Sequence, residues 1–422
     1  MDKLISKFYF DYGKFCNWRT LPSIMDGMKP AERRVLLSVY QIAKDKFVKS
    51  ARIDGHCIGH FHPHGSVYKT LIQMVRNNFV LGKGNWGCDL GIEKSNAAAM
   101  RYTEARLNPN MIDLVFKLIN YVPWKSFDLD KEPLYLPTKY PICLLGSEYT
   151  IGIGFGYITT IPCYQVEDLY KRLLYLLKVR KRKPIIRPKT DCEILSSDEE
   201  LESLLEIGKA KIKLKGKIEV DVKNYKVTLR SWPPGVTWIY ILKKLNTEFN
   251  QNEINWNDLS GGETGTEIIF SITKQRNKKK LLVNFISKLE SIITSNISFD
   301  TVVIDIDKKP RRSSIDELLL KLYENYMKST NIMLNSEINR LTELKIEYEI
   351  LLKLRPFLSK HMNKIKSDFN KTISTISKES KIPETTIKLL FSKYKINKLL
   401  SLNVDLKNLK NIKNYVLKEY EL

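Results

Sequence analysis

Two adjacent residues, Arg101 and Tyr102, have the side chains needed to break a phosphodiester. They lie in the stretch S-N-A-A-A-M-R-Y-T-E-A-R-L, residues 95–107. A phenol with an ordinary pKa of ~10 is a poor nucleophile at neutral pH. An adjacent guanidinium favours the phenolate and can also hold a phosphate oxygen. The pair therefore reads as a nucleophile with its electrostatic helper. Because the chain has 21 tyrosines, that reading depends on what surrounds the pair.

A second cluster stands out. Four of the five histidines fall in H-C-I-G-H-F-H-P-H-G, residues 56–65. Three chemistries compete for it. One is a metal site drawing on His60, His62, His64 and Cys57. Another is a His-hydrophobic-His nuclease motif, His60-Phe61-His62, with Tyr102 as nucleophile. The third is a phosphate-facing loop in which His62 and His64 donate to a scissile backbone. The close spacing of His60, His62 and His64 fits tetrahedral zinc poorly, and no complementary ligand pair follows. Upstream, M-D-G-M-K-P-A-E-R-R gathers Lys29, Arg33 and Arg34 at a helix start, where free N–H groups also attract phosphate.

The elements that must position these groups are legible. Asp26-Gly27 predicts a turn and Pro30 the first turn of a helix. Val35, Leu36, Val39, Tyr40 and Ala43 form its apolar stripe. Helices expected over 50–59 and 66–79 complete a helix-turn-helix pattern. Residues 1–20 read as a short helix or an arm. The glycine-rich stretch 81–91 permits a tight loop. It is not a nucleotide-binding fingerprint, because G-x-x-x-x-G-K-[ST] is absent from the sequence.

Four blocks occur in order: M-D-G-M-K-P-A-E-R-R-V-L, S-A-R-I-D-G-H-C-I-G-H-F-H-P-H-G, G-N-W-G and A-A-A-M-R-Y-T-E-A-R-L. Together they closely resemble the breakage-reunion subunit of type IIA DNA topoisomerases, the A-type polypeptide of gyrase and of topoisomerase IV. P-L-Y-L-P-T-K-Y-P-I-C-L-L-G and I-G-I-G-F-G-Y-I-T-T-I-P extend the resemblance, which covers residues 18–165. It implies that Tyr102 attacks a DNA phosphodiester and becomes joined to the 5′ end, with Arg101 stabilising charge on the phosphoryl group. Arg19, His62 and His64 would flank the scissile phosphate. Lys29, Arg33 and Arg34 would hold the DNA backbone, and Ile161 would wedge between base pairs.

The same resemblance implies double-stranded DNA as substrate and a homodimer within an A2B2 assembly. Mg²⁺ and ATP would both be bound by a B-type partner subunit, with no metal site in this chain. It also implies an α+β multidomain fold. A winged-helix DNA-cleavage domain with an N-terminal arm would span 1–150, an α/β tower domain 151–312, and a coiled-coil dimer gate 313–422. No β-propeller-like wrapping domain is encoded in the 422 residues. Relaxation and decatenation by a compact, phage-like enzyme are therefore expected rather than supercoiling. Lys69 stands where the family frequently has an acidic residue, and quinolone sensitivity is not expected.

Beyond the specific blocks only patterns guide the reading. Residues 166–182 look helical, and K-V-R-K-R-K-P-I-I-R-P-K forms a basic linker. From Ala210, period-two alternation places Ile212, Leu214, Ile218, Val220 and Val222 on one face and Lys211, Lys213, Lys215, Lys217 and Glu219 on the other. A turn at Asn224 and a returning strand at Val227 and Leu229 follow, with further strands over 267–273 and 301–306. Ser314 to Glu317 reads as a capping box for a long helix that Pro356 ends. Leu334, Ile338, Leu341, Tyr348 and Leu352 give that helix a heptad-like seam. A helix is expected over 384–400, and Leu406, Leu409, Ile412 and Val416 mark a returning one.

The net charge of +23 favours a polyanionic partner, although an AT-rich coding sequence would also enrich lysine. Six cysteines without a C-x-x-C pair fit reduced thiols. The N-terminus lacks the apolar core of a signal peptide, and no run approaches the ~18 apolar residues of a membrane span. A soluble protein without a membrane partner is expected, in the cytoplasm of a bacterium or a phage-infected host. The competing functions are a rolling-circle nuclease and a non-catalytic DNA-bending protein.

Overall fold

A computed structural model describes residues 2–92, 94–127, 130–250, 253–262, 264–273 and 277–393, and residue 412. The chain mixes α and β structure and divides into two compact units, residues 1–327 and 328–422.

Unit one begins with helix α1 (Asp2–Thr20), followed by α2 (Pro30–Ile42), strand β1 (Val48–Lys49), α3 (Ser50–His60), α4 (Tyr68–Arg76), β2 (Val80–Lys83) and β3 (Glu104–Leu107). The three strands form an antiparallel sheet in the order β1-β3-β2. Pro30 opens α2 as expected, and its Val35, Leu36 and Val39 are fully buried against Ile53, Leu71 and Leu107. Gly27 sits at φ 70° in the preceding turn. A side chain there would meet the Ile142 nitrogen at 2.7 Å, so only glycine fits.

Two short strands, β4 (Trp124–Phe127) and β5 (Asp130–Pro133), form a ribbon, and β6 (Tyr149–Ile153) pairs with β7 (Ile158–Pro162). Helix α5 (Val166–Leu176) is shorter than the sequence pattern, because Lys178 adopts a left-handed conformation (φ 61°). Next come β8 (Glu193–Ile194), α6 (Asp198–Ile207) and β9 (Lys209–Lys215), then β10 (Ile218–Asp221) and β11 (Lys226–Leu229). Helix α7 (Trp238–Leu245), β12 (Ile254–Asp258), β13 (Ile268–Ile272), α8 (Lys278–Ile292) and β14 (Thr294–Asp300) follow, and β15 (Val302–Ile304) pairs with β16 (Pro310–Arg312).

These strands build a five-stranded sheet, β6-β7-β14-β9-β8, and a four-stranded sheet, β10-β11-β13-β12. The continuous alternation expected from residue 210 is split between them. Ile212 and Leu214 are buried in the first sheet, whereas Val220 and Val222 are exposed. The break is Gly216, where a Cβ would lie 2.3 Å from the Ser231 carbonyl oxygen. Close approach of two backbones ends one strand and starts another.

Helix α9 runs Ile315–Ser367. Glu317 N–H donates to Ser314 Oγ (2.9 Å), but the Glu317 carboxylate turns to Arg311 and Ser313, so only half of the expected capping box forms. The helix does not stop at Pro356. Leu351, Leu354 and Leu358 pack with Ile373, Ile376, Ile387 and Leu390 from α10 (Phe369–Ser380) and α11 (Glu384–Lys393). Burial on both sides of the proline outweighs the lost hydrogen bond. Leu334, Ile338, Leu341 and Tyr348 cluster with Ile412, while Leu352 is exposed. The other positions of the expected returning helix, and residues 394–400, lie outside the described residues.

Candidate active site

Tyr102 lies on the surface, with 63% of its area exposed. Its backbone is held from several sides. Ser50 N–H donates to the Thr103 carbonyl (3.0 Å) and Ala51 N–H to that of Met100 (3.2 Å), which fixes residues 100–103 to the first turn of α3. Ala98 N–H donates to the Asn85 carbonyl (2.9 Å), and Tyr68 Oη lies 2.7 Å from the Ala98 carbonyl and 2.9 Å from Thr103 Oγ1. Gly87, at φ 75°, lets the Asn85-Trp86-Gly87 turn pass the Ser95 carbonyl, where a Cβ would lie at 2.4 Å. The small residues before Tyr102 thus thread a narrow, hydrogen-bonded frame. The Arg101 guanidinium stands 4.7 Å from the centre of the Tyr102 ring, a cation–π contact. A fixed, accessible phenol beside a cation can attack an electrophile carrying negative charge.

The histidine loop is built differently. His62 is buried (8% exposed), and its Nδ1 lies 3.1 Å from Arg34 Nη1. Arg34 is also buried and grips Glu132 through two bonds of 2.7 and 3.0 Å. Burial, then the neighbouring Arg34, His64 and Arg19, push the His62 imidazole down to about 4. Burial works against the Glu132 carboxylate, yet hydrogen bonds from Arg34 and Lys125 hold it below its usual range. The His64 ring is 5.3 Å from that of His62, at a steep angle, and 6.4 Å from Phe15 of α1. Arg19, at the end of α1, stacks over Phe15. Arg19, His62 and His64 therefore form one cationic and imidazole-bearing group.

That group and Tyr102 occupy opposite ends of α3. Residues 100–103 are tied to Ser50 and Ala51, whereas His62 N–H donates to the Cys57 carbonyl beyond the last turn. Eleven residues of helix separate them by roughly 15 Å.

Two expected DNA ligands, Arg33 and Arg34, are committed to buried carboxylates, and a third, Ile161, is buried. Arg33 is 8% exposed and bonds both oxygens of the fully buried Asp26, at 2.6 and 3.0 Å. Asp26 also accepts from the N–H groups of Met28 and Leu136. Arg33 and Arg34 are therefore interior ion pairs rather than surface cations, because each meets a carboxylate that the fold buries. Lys29 donates to the Ile151 carbonyl (2.7 Å). Ile161 is fully buried, while Ile153, Phe155, Tyr157 and Ile158 near the β6–β7 turn are exposed. Alternation along β7 places residues 159 and 161 inward and 158 outward. Ile161 therefore cannot serve as a base-pair wedge in this conformation.

His60 bonds Asp130 (3.0 Å) while His62 bonds Arg34, so the two rings of the nuclease-type motif do not converge on a shared ligand. Among the described residues, no group of three or more His, Cys, Asp or Glu side chains is placed to hold a metal ion. The side chains beside Tyr102 and His62 are arginines and imidazoles, not the set of oxygen donors that Mg²⁺ takes. Among the described residues no helix is long and apolar enough to cross a membrane. Glu132 and Tyr68 serve the site without a signal in their own segments that announces it. Glu132 lies 98 residues from Arg34.

A family model for the A-type polypeptide of DNA gyrase and topoisomerase IV matches residues 19–421. The chain is 28% identical over 353 residues to the A-type polypeptide of DNA topoisomerase 4 from Neisseria gonorrhoeae, covering 71% of the chain and 44% of that protein. It is 29% identical over 336 residues to the A-type polypeptide of DNA gyrase from Thermotoga maritima, covering 73% and 40%. Against the A-type polypeptide of DNA topoisomerase 4 from Bacillus subtilis the identity is 28% over 389 residues, covering 85% and 46%. The matched stretch spans less than half the length of each of these relatives.

Proposed function

Because the chain belongs to the family of A-type polypeptides of DNA gyrase and topoisomerase IV, we propose that it is the DNA-cleaving and religating component of an ATP-dependent type II topoisomerase. The observation that carries this is Tyr102, exposed on a hydrogen-bonded frame with Arg101 against its ring. In the proposed reaction the Tyr102 Oη–phosphorus bond forms as the phosphorus–O3′ bond breaks. The phenol proton passes to solvent and O3′ takes one up. The DNA is left with a free 3′-hydroxyl and a 5′-phosphotyrosyl ester. Reversal reseals the strand without ATP at that step, because the ester keeps the bond energy. Arg101 balances charge on the phosphoryl oxygens.

The separation along α3 supports a homodimer. Tyr102 of one copy and the Arg19, His62 and His64 group of the other would meet at one phosphate. Two such sites cut both strands of a duplex, and a second duplex passes through the gap. Mg²⁺ and ATP come from a B-type partner. On this reading the β1-β3-β2 sheet with α2, α3 and α4 acts as a winged-helix cleavage domain within residues 1–150. The two larger sheets within 151–312 act as the tower, and the helices of 313–422 as a coiled-coil dimer gate. The assembly is A2B2, in the cytoplasm of a bacterium or an infected host.

The test is decatenation with the cognate ATPase partner, together with trapping of a covalent DNA adduct. Wild type forms the adduct and Tyr102→Phe does not; an adduct formed by Tyr102→Phe refutes the reading. Nicking of single-stranded DNA by this chain alone would favour the rolling-circle alternative. Binding without any adduct would favour a DNA-bending protein.

A further inference from the structure

Arginine has no hydrogen-bond acceptor, so the 3.1 Å contact between Arg34 Nη1 and His62 Nδ1 has one possible direction. Arg34 donates and Nδ1 accepts through its lone pair. An imidazole whose Nδ1 is an acceptor carries its proton on Nε2. Arg34 cannot rotate away, because its Nε and Nη2 are held by the two oxygens of Glu132, and all three residues are buried. Lys125 reaches Glu132 at 2.8 Å and fixes it from the other side. The His62 Nε2 is not sealed in the core. Among the described residues no hydrogen bond to it forms, and it is not among the buried polar atoms left without a partner, so it meets solvent.

We propose that Glu132 and Arg34 are a positioning pair that locks His62 as a neutral imidazole with its proton on Nε2, making it a hydrogen-bond donor to the reacting phosphate and not a proton acceptor. This rests on the reading that His62 flanks the scissile phosphate. Of the charged groups facing His62, Glu132 favours a second proton and the others oppose it. Arg34 from α2, Arg19 from α1 and the neighbouring His64 oppose a second proton, and Glu132 on β5 is already neutralised by Arg34 and Lys125. A donor fixed before substrate arrives stabilises developing charge without reorganising. The arrangement also gives Arg34 a role that its burial would otherwise deny it: it acts on the substrate through His62.

The test has two readouts. In the full chain labelled with ¹⁵N-histidine, five imidazoles are observed and His62 is assigned by its loss in His62→Gln. The expected result is a protonated Nε2 and a bare Nδ1, with no conversion to imidazolium between pH 8 and pH 5. A proton on Nδ1, or ordinary titration between pH 6 and 7, overturns the proposal. In an Arg34→Met/Glu132→Met double variant, which removes both buried charges together, His62 should show the other tautomer or titrate in the ordinary range. Retention of the lock there also overturns it.

The second readout is adduct formation by the assembled enzyme. His62→Ala should lower the rate roughly 10²-fold, the cost of one preorganised donor. His62→Gln, which keeps an N–H at similar reach, should recover most of that loss, which a general base would not allow. A loss that Gln does not recover overturns the donor role. If the tautomer is as stated but His62→Ala cleaves normally, the lock stands and the placement of His62 at the phosphate fails.

Discussion

The guanidinium of Arg172, wholly buried, holds the carboxylate of Asp316 through bonds of 2.8 and 2.6 Å and that of Glu202 through bonds of 3.3 and 2.7 Å. Its last donor direction meets the Pro184 carbonyl at 3.0 Å. One side chain on α5 thereby ties α6 to the first turn of α9. Arg172→Met leaves the largely enclosed Asp316 carboxylate unpaired and Glu202 with Lys183 alone, and should destabilise unit one by about 3–5 kcal/mol. Lys183→Ala removes a partly exposed ion pair with the same Glu202 and should cost under ~1 kcal/mol. Urea unfolding of both variants checks this, and equal midpoints would contradict it.

Arg33 offers a test of structure against binding. A phosphate contact contributes about one unit to the salt dependence of DNA affinity. Arg33 instead fills the Asp26 site, so Arg33→Met should leave the slope of log affinity against log salt unchanged while lowering stability by about 3–5 kcal/mol. A slope reduced by about one would return Arg33 to the DNA surface.

Tyr102 makes no packing contribution that its hydroxyl could supply. Tyr102→Phe should therefore shift stability by under ~0.5 kcal/mol, as for other surface changes away from special features. Thermal unfolding of the variant, run beside the adduct assay, separates loss of the nucleophile from loss of the fold. A large drop in melting temperature would show that the phenol is structural.

The pH dependence of stability has a definite direction. His62 is held at about 4 in the fold against an ordinary 6.5, so the native chain binds fewer protons there than the unfolded one. Its contribution is complete above pH 6.5 and is lost as pH falls toward 4. The melting temperature of wild type should fall across that window more steeply than that of His62→Gln. Parallel curves would remove His62 as the cause.

Within one strand, Ile158 and Ile161 should behave in opposite ways. Ile161→Ala opens a cavity in the core and should cost about 2–5 kcal/mol. Ile158→Ala, at 64% exposure, should cost under ~0.5 kcal/mol. Distance measurements on end-labelled DNA then show which of the two changes bending. A stable Ile161→Ala that no longer bends DNA would restore the wedge to residue 161.

Much of the local structure could be read from the chain. Pro30 and the Val35, Leu36, Val39 stripe specify α2, because helix starts and 3.6-residue periodicity are short-range effects. The glycines around Asn85-Trp86-Gly87 foretell the tight turn before Tyr102, since backbone approach that close excludes any Cβ. Pattern reading failed where two backbones cross at Gly216 and where packing carries α9 through Pro356, since both depend on residues distant in sequence.

The residue types put the Tyr102 phenol next to the Arg101 guanidinium along the chain, which names the chemistry the pair could do. That the two side chains meet, 4.7 Å from cation to ring centre, is decided by the fold, because neighbours in extended backbone point to opposite sides. Which cations face outward could not be read that way. Arg33 and Arg34 look alike in the sequence, and their burial depends on Asp26 and on Glu132, 98 residues on from Arg34. The proton on His62 is decided in the same way, by an arginine 28 residues upstream. Charge and hydrogen-bond direction act over a few ångströms of space whatever the separation along the chain, so only the tertiary structure assigns them.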